Sequence, residues 1–166
     1  MKKTILALSL LSCISTTSMA QQLSPQEITA TMNQGFALSD AKKPAEALEA
    51  FLTVGRNLEN AQTDVERKVY VCSMTMAAMC YKKLERWKEC YDLSVKLMAL
   101  PMGDKERKDV EWGYVYSACM YASNFTRKAN TPEERQRGRQ ILTEAEPHAN
   151  AKLAKYVHSG LAHAWY

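Results

Sequence analysis

The sequence predicts an all-α fold built from antiparallel helix pairs, and three observations carry that expectation. The 166 residues include only six Gly and five Pro, beside ample Ala, Leu, Met, Glu and Lys, a composition that favours helices over an all-β chain. Apolar residues fall at helical spacing in paired stretches joined by short polar turns. Small residues recur at Gly35, Ala78, Ala118 and Gly160, each opening a similar local pattern, at intervals of 43, 40 and 42 residues.

The N-terminus reads as a targeting segment. Lys2-Lys3, the apolar run from Ile5 to Leu11 and the small-residue site Ser18-Met19-Ala20 predict a secretory signal peptide over 1–20. The run is too short to span a bilayer, and no other stretch reaches about 18 consecutive apolar residues, so no transmembrane segment is expected. The leader looks bacterial, which places the chain in the periplasm or at the cell surface. A rival reading takes Leu10-Leu11-Ser12-Cys13 as resembling a lipobox, with Cys13 lipidated and the chain anchored at the outer membrane. The net charge is +4, of which Lys2 and Lys3 supply two, too little to argue for nucleic acid.

From residue 21 to 166 the chain reads as one helical domain. The first unit covers 24–62. Gly35 is followed by Leu38, then by Ala47 twelve residues on, with Phe51 and Val54 one and two turns further. Gly35 and Ala47 suit the closest approach of two antiparallel helices, with the larger side chains filling the space around them. Pro44 suits a helix start. The second unit covers 66–102, with Ala78 and Tyr81 on its first helix and a turn from Lys82 to Arg86. Trp87 opens the partner helix, Cys90, Ser94 and Leu97 hold the matching positions, and Pro101 closes it.

The third unit covers 105–147. Ala118 and Tyr121 lie on its first helix, and a long connection runs from Asn124 to Pro132. Thr131 caps the next helix with Pro132 at its first position. Gly138, Leu142 and Ala145 repeat the spacing, and Pro147 ends the unit. A single helix follows within 148–166, where Tyr156-x-x-Ser159-Gly160 echoes Tyr114-x-x-Ser117-Ala118. Its apolar end, Ala164-Trp165-Tyr166, leaves three readings open: an imperfect cap, a surface for self-association or another partner, or continuation into further chain.

The order Gly35, Leu38, Ala47, Phe51, and above all Glu46-Ala47-Leu48-Glu49-Ala50-Phe51, resembles the tetratricopeptide repeat. The chain departs from that pattern in several places. Gln34 stands where the family has Leu, the first unit lacks a closing Pro, and Cys90 and Ser94 replace Ala and an aromatic. The interval also exceeds the family's usual spacing of about 34 residues. The resemblance implies a short right-handed α-solenoid whose first helices line a concave face for a protein or peptide ligand. Carried onto this sequence, that face holds Met32, Phe36, Thr75, Met79, Lys82, Lys83, Trp112, Val115 and Cys119, with Val157 and Leu161 beyond them. Its Met and aromatic content suits protein partners, and Lys82 and Lys83 would receive a carboxylate. The same apolar positions equally fit the core between helices, and the two lysines a solvated turn.

No hydrolase, metalloprotease, P-loop or dinucleotide motif occurs. The expectation is therefore a binding protein without catalysis, cofactor or metal. The alternative is the repeat segment of a larger secreted enzyme whose catalytic domain lies beyond Tyr166. His148, His158 and His163 are not at one-face spacing, and nothing specifies a pair such as Cys119 with His158. Cys72, Cys80, Cys90 and Cys119 lack zinc spacing. Cys80 and Cys90 flank a turn and are the pair best placed for a disulfide in an oxidising compartment; their apolar surroundings fit buried free thiols better.

Overall fold

A computed structural model describes residues 22–127 and 131–164. The signal peptide expected over 1–20, the Cys13 reading, and Trp165 and Tyr166 lie outside the described residues. Among the described residues the chain is all-helical. It comprises α1 (Pro25–Asp40), α2 (Pro44–Asn57), α3 (Asp64–Lys83), α4 (Trp87–Met98), α5 (Asp104–Thr126), α6 (Pro132–Ala145), a 3₁₀ turn (Glu146–His148) and α7 (Ala151–His163). No described helix is long and apolar enough to cross a membrane.

Local chemistry explains the helix starts. Ser24, Thr63 and Thr131 each accept from the backbone N–H three residues on, and Glu27, Glu66 and Glu134 reach back to the cap residue. These reciprocal capping boxes satisfy amides that the first turn leaves unpaired. The Ser24 hydroxyl and backbone amide hold the Glu27 carboxyl below the usual carboxylate range, and Thr63 does the same to Glu66. The Asn150 side chain caps α7 through the amides of Lys152 and Leu153. Pro occupies an opening position in α1, α2 and α6, where its missing N–H costs nothing.

The α1–α2 and α3–α4 turns are the same structure 43 residues apart. In the first, the Lys43 amide donates to Leu38 O and the Lys42 amide to Ser39 O. In the second, Arg86 donates to Tyr81 O and Glu85 to Lys82 O. This double bond pattern is the Schellman motif, which needs a left-handed residue just after the helix. Lys42 (φ 58°) and Glu85 (φ 56°) fill that position without being glycine. In the second turn the Arg86 guanidinium lies 4.8 Å from the Tyr81 ring centre, giving the turn the side-chain contact such motifs favour.

Successive helices run antiparallel. Across α4 and α5, Trp87 meets Tyr116, Tyr91 stacks on Tyr114, and Arg107 near the start of α5 donates to the Met98 and Leu100 carbonyls at the end of α4. Across α6 and α7, Leu142 lies against Gly160, and Arg139 donates to Ala164 O. Each helix packs on the next, and α5 also packs on α7, whereas α3 and α5 touch little. Odd-numbered helices therefore share one direction.

The core falls into two clusters. One joins α1 to α4 through Met32, Ala47, Leu48, Phe51, Val54, Leu58, Ala77, Cys80, Cys90 and Leu97. The other joins α5 to α7 through Tyr114, Val115, Ala118, Tyr121, Leu142 and Val157, with Trp87 and Tyr91 packed against it. The small positions lie at close helix approaches, with one refinement. A Cβ on Gly35 would sit 2.7 Å from the Phe51 ring, and one on Gly160 would sit 2.7 Å from Leu142. The glycine thus faces a large partner rather than another small residue. All four described cysteines are free, so no disulfide joins Cys80 to Cys90; both are buried, and the Cys90 thiol donates to Ala78 O at 3.3 Å.

Candidate functional site

Between α3 and α5, with α4 as its floor, lies a cavity of about 670 Å³. Its origin can be traced to the sequence. In the first pair the Phe51 ring fills the space over Gly35. The matching position in the second pair is Ser94, with Cys90 one turn before it, and both line the cavity floor beside Ala78. Small residues face a small residue, and a groove remains where the first pair has an aromatic plug.

The α3 wall carries Val71, Cys72, Thr75, Met76, Met79 and Lys82, and the α5 wall carries Val110, Trp112, Gly113 and Tyr116. Met79 is 48% exposed and Trp112 37% exposed, large apolar groups left in water on opposite walls. Trp112 and Tyr116, one turn apart on α5, stack with centroids 5.2 Å apart and planes within 10°. Trp87 meets the same Tyr116 at 5.9 Å. Lys82 crosses from α3, its Nζ 4.3 Å from the Trp112 ring centre and 4.5 Å from that of Tyr116. A cation over aromatic faces is worth about 0.5–1 kcal/mol at an exposed site, so Lys82 ties together two helices that otherwise scarcely touch. Lys68, Glu106 and Asp109 complete the charged lining.

The residues expected on one face do not stay together. Thr75, Met79, Lys82 and Trp112 come together in the groove. Phe36 is exposed, but it lies on α1 edge-on to Phe51 at 5.4 Å, outside this groove. Met32 and Val115 are core side chains rather than surface, Met32 in the first cluster and Val115, 0% exposed, in the second. Val115 is covered because α7 packs on α5 and brings the fully buried Val157 into the same cluster. Cys119 is half-buried beside that cluster, and Leu161 packs there too. Lys83 turns the other way and donates to Ser39 Oγ at 3.1 Å. Sequence reasoning missed Tyr116 and Met76. The signal was present for Tyr116, which follows Trp112 by four residues and so shares its helix face.

The thiols are poor nucleophiles. Burial pushes Cys119 up to about 11 and raises Cys72, Cys80 and Cys90 above their ordinary value, which leaves little thiolate near neutrality. His158 Nε2 lies 3.0 Å from a Glu146 carboxylate oxygen, and His148 Nδ1 lies 3.4 Å from Glu111. These contacts link the 3₁₀ turn to α7 and α5. Among the described residues no group of three or more His, Cys, Asp or Glu could hold a metal ion.

Comparison with family models, with curated proteins and with solved structures finds no match for this chain.

Proposed function

We propose that this protein is an exported binding module of tetratricopeptide type, a short right-handed α-solenoid that holds a protein or peptide segment and carries out no chemistry of its own. The observation that carries this reading is the α3–α5 groove, with Met79 and Trp112 exposed on facing walls and Lys82 reaching between them. Its size falls within the range of small-ligand and side-chain pockets. Flexible Met side chains and flat aromatic faces are the surfaces that accommodate varied peptide side chains. The equivalent turns of the first two helix pairs support a repeat origin, and the leader pattern supports export.

The test uses peptides selected from a random library on the full chain. Met79→Glu and Trp112→Ala should each lower their affinity at least tenfold while leaving the helical circular dichroism unchanged, since both side chains lie at the surface outside the two buried clusters. Binding retained in both variants would place the ligand elsewhere and remove the basis of this reading.

A further inference from the structure

The groove is electrically polar along its length. Lys82, at the C-terminal end of α3, sets a positive charge over Trp112 and Tyr116. On the α5 wall, Asp109 and Glu106 lie three and six residues before Trp112, about 5 and 9 Å further along the helix axis at 1.5 Å per residue. Lys68 lines the α3 wall fourteen residues before Lys82, almost four turns away. Because α3 and α5 both run antiparallel to α4, Lys68 lies beyond the two carboxylates on the side away from Lys82. Among the described residues none of Lys82, Glu106 and Asp109 forms an ion pair, whereas the nearby Arg86 is paired with Glu89 and Lys88 with Asp92. Met79 and Val110 also line the groove, and Trp112 lies under Lys82 itself.

We propose that this groove selects a dipolar segment: an extended peptide stretch with a carboxylate side chain at Lys82, a cationic side chain at Asp109 and Glu106, and apolar side chains between them. The proposal rests on the groove being the binding site, as argued above, and adds the charge pattern of its occupant. An extended chain advances about 3.3 Å per residue, so the two charges of the ligand stand two or three residues apart. A segment with two acidic ends meets the Asp109 and Glu106 carboxylates with like charge, and one with two basic ends meets Lys82 with like charge. Either mismatch costs affinity.

Four blocked tetrapeptides with a Leu-Met centre test this: Glu-Leu-Met-Lys, Glu-Leu-Met-Glu, Lys-Leu-Met-Lys and Gln-Leu-Met-Gln. Each is titrated calorimetrically into the full chain at low salt. The dipolar peptide is expected to bind about three- to fivefold more tightly than either like-charged peptide, the scale of exposed ion pairs. Lys82→Glu should move the preference to the two-lysine peptide, and the double variant Glu106→Lys with Asp109→Lys should move it to the two-glutamate peptide. Lys82→Gln, which removes charge without inverting it, should abolish the disadvantage of the two-lysine peptide. Equal binding of all four peptides, or a preference order that survives Lys82→Glu, overturns the dipolar assignment and leaves the groove standing as an apolar site. Failure of all four to bind overturns the groove reading together with it.

Discussion

The first two helix pairs and the last three helices pack by different means. From α1 to α4 the cluster is built from Met, Leu, Val, Ala and Cys around one buried aromatic, Phe51, and the two pairs turn on the same three-residue motif. In the second cluster α5, α6 and α7 meet through aliphatic side chains such as Val115, Ile141, Leu142, Leu153 and Val157, and an aromatic array lies where α4 and the 3₁₀ turn meet α5. Tyr91 stacks on Tyr114 and tilts against Tyr121, Tyr121 meets Phe125 edge-on, and His148 meets Tyr114 edge-on. Burial pushes the Tyr114 hydroxyl up to about 12. The difference teaches that a recurring small residue sets how closely two helices approach, while the side chain opposite sets whether space remains. Gly35 faces Phe51 and Gly160 faces Leu142, and both sites are filled. Ala78 faces Cys90 and Ser94, and there the groove opens. The groove also lies at the seam of the two clusters, because α5 leans on α7 rather than on α3.

The largest effects should come from the plugs of the two clusters. Phe51→Ala should cost about 3–5 kcal/mol and Leu142→Ala about 2–5 kcal/mol, the usual scale for emptied core positions. Both side chains are essentially fully buried. Urea unfolding followed by circular dichroism measures both losses and asks whether the clusters unfold together. A single transition in both variants means one cooperative unit, whereas a second transition in either would divide the molecule between α4 and α5, where the two clusters meet.

Gly35→Ala should cost about 1–3 kcal/mol, because the new methyl would press on the buried Phe51 ring, which has nowhere to move. Thermal melts of this variant alone and with Phe51→Leu check the pairing. The smaller partner should recover part of the Gly35→Ala loss, and simple additivity would show that the two sites do not share the contact.

Thr63→Ala should cost about 1 kcal/mol at neutral pH through loss of the α3 cap. The sign of its pH dependence follows from Glu66, whose folded pKa is lowered. The carboxylate's contribution is fully present above the unfolded value, about 4.3, and is lost as pH falls through the lower folded value. Stability measured from pH 7 down to pH 3 should therefore fall less steeply in Thr63→Ala than in the parent chain. Smallest of all, Lys42→Gly and Glu85→Gly should each stabilise by about 0.5–1 kcal/mol, since glycine takes the left-handed conformation freely. Equal gains in the two variants would strengthen the equivalence of the turns, and unequal gains would limit it to the backbone.

Much of the architecture was legible before any coordinates. Trp87 does open α4, and Thr131 caps α6 with Pro132 at its start, because capping and proline placement are local chemistry. The capping boxes at Ser24 and Thr63 were equally readable, each a hydroxyl residue three before a glutamate. The α3–α4 turn is shorter than expected, since Lys82 and Lys83 belong to the last turn of α3 and only 84–86 connect it to α4, and nothing local distinguishes Glu85 as its left-handed residue. The candidate site was legible only in part. Thr75, Met79, Lys82 and Trp112, grouped through the repeat resemblance, do line one groove, yet Met32 and Val115, grouped with them, are buried.

The sequence by itself determined where several helices start, which small residues recur along the chain, and that Ser94 stands where the first pair has Phe51. Those follow from contacts within a turn or between neighbouring helices, whose spacing along the chain is fixed. Only the tertiary structure decided which faces stay in water. Whether α7 covers Val115, whether α3 stands off from α5, and whether Lys82 reaches the Trp112 ring depend on helices far apart in the chain. Their separation is set by the summed volume of side chains on intervening helices, which no local pattern encodes.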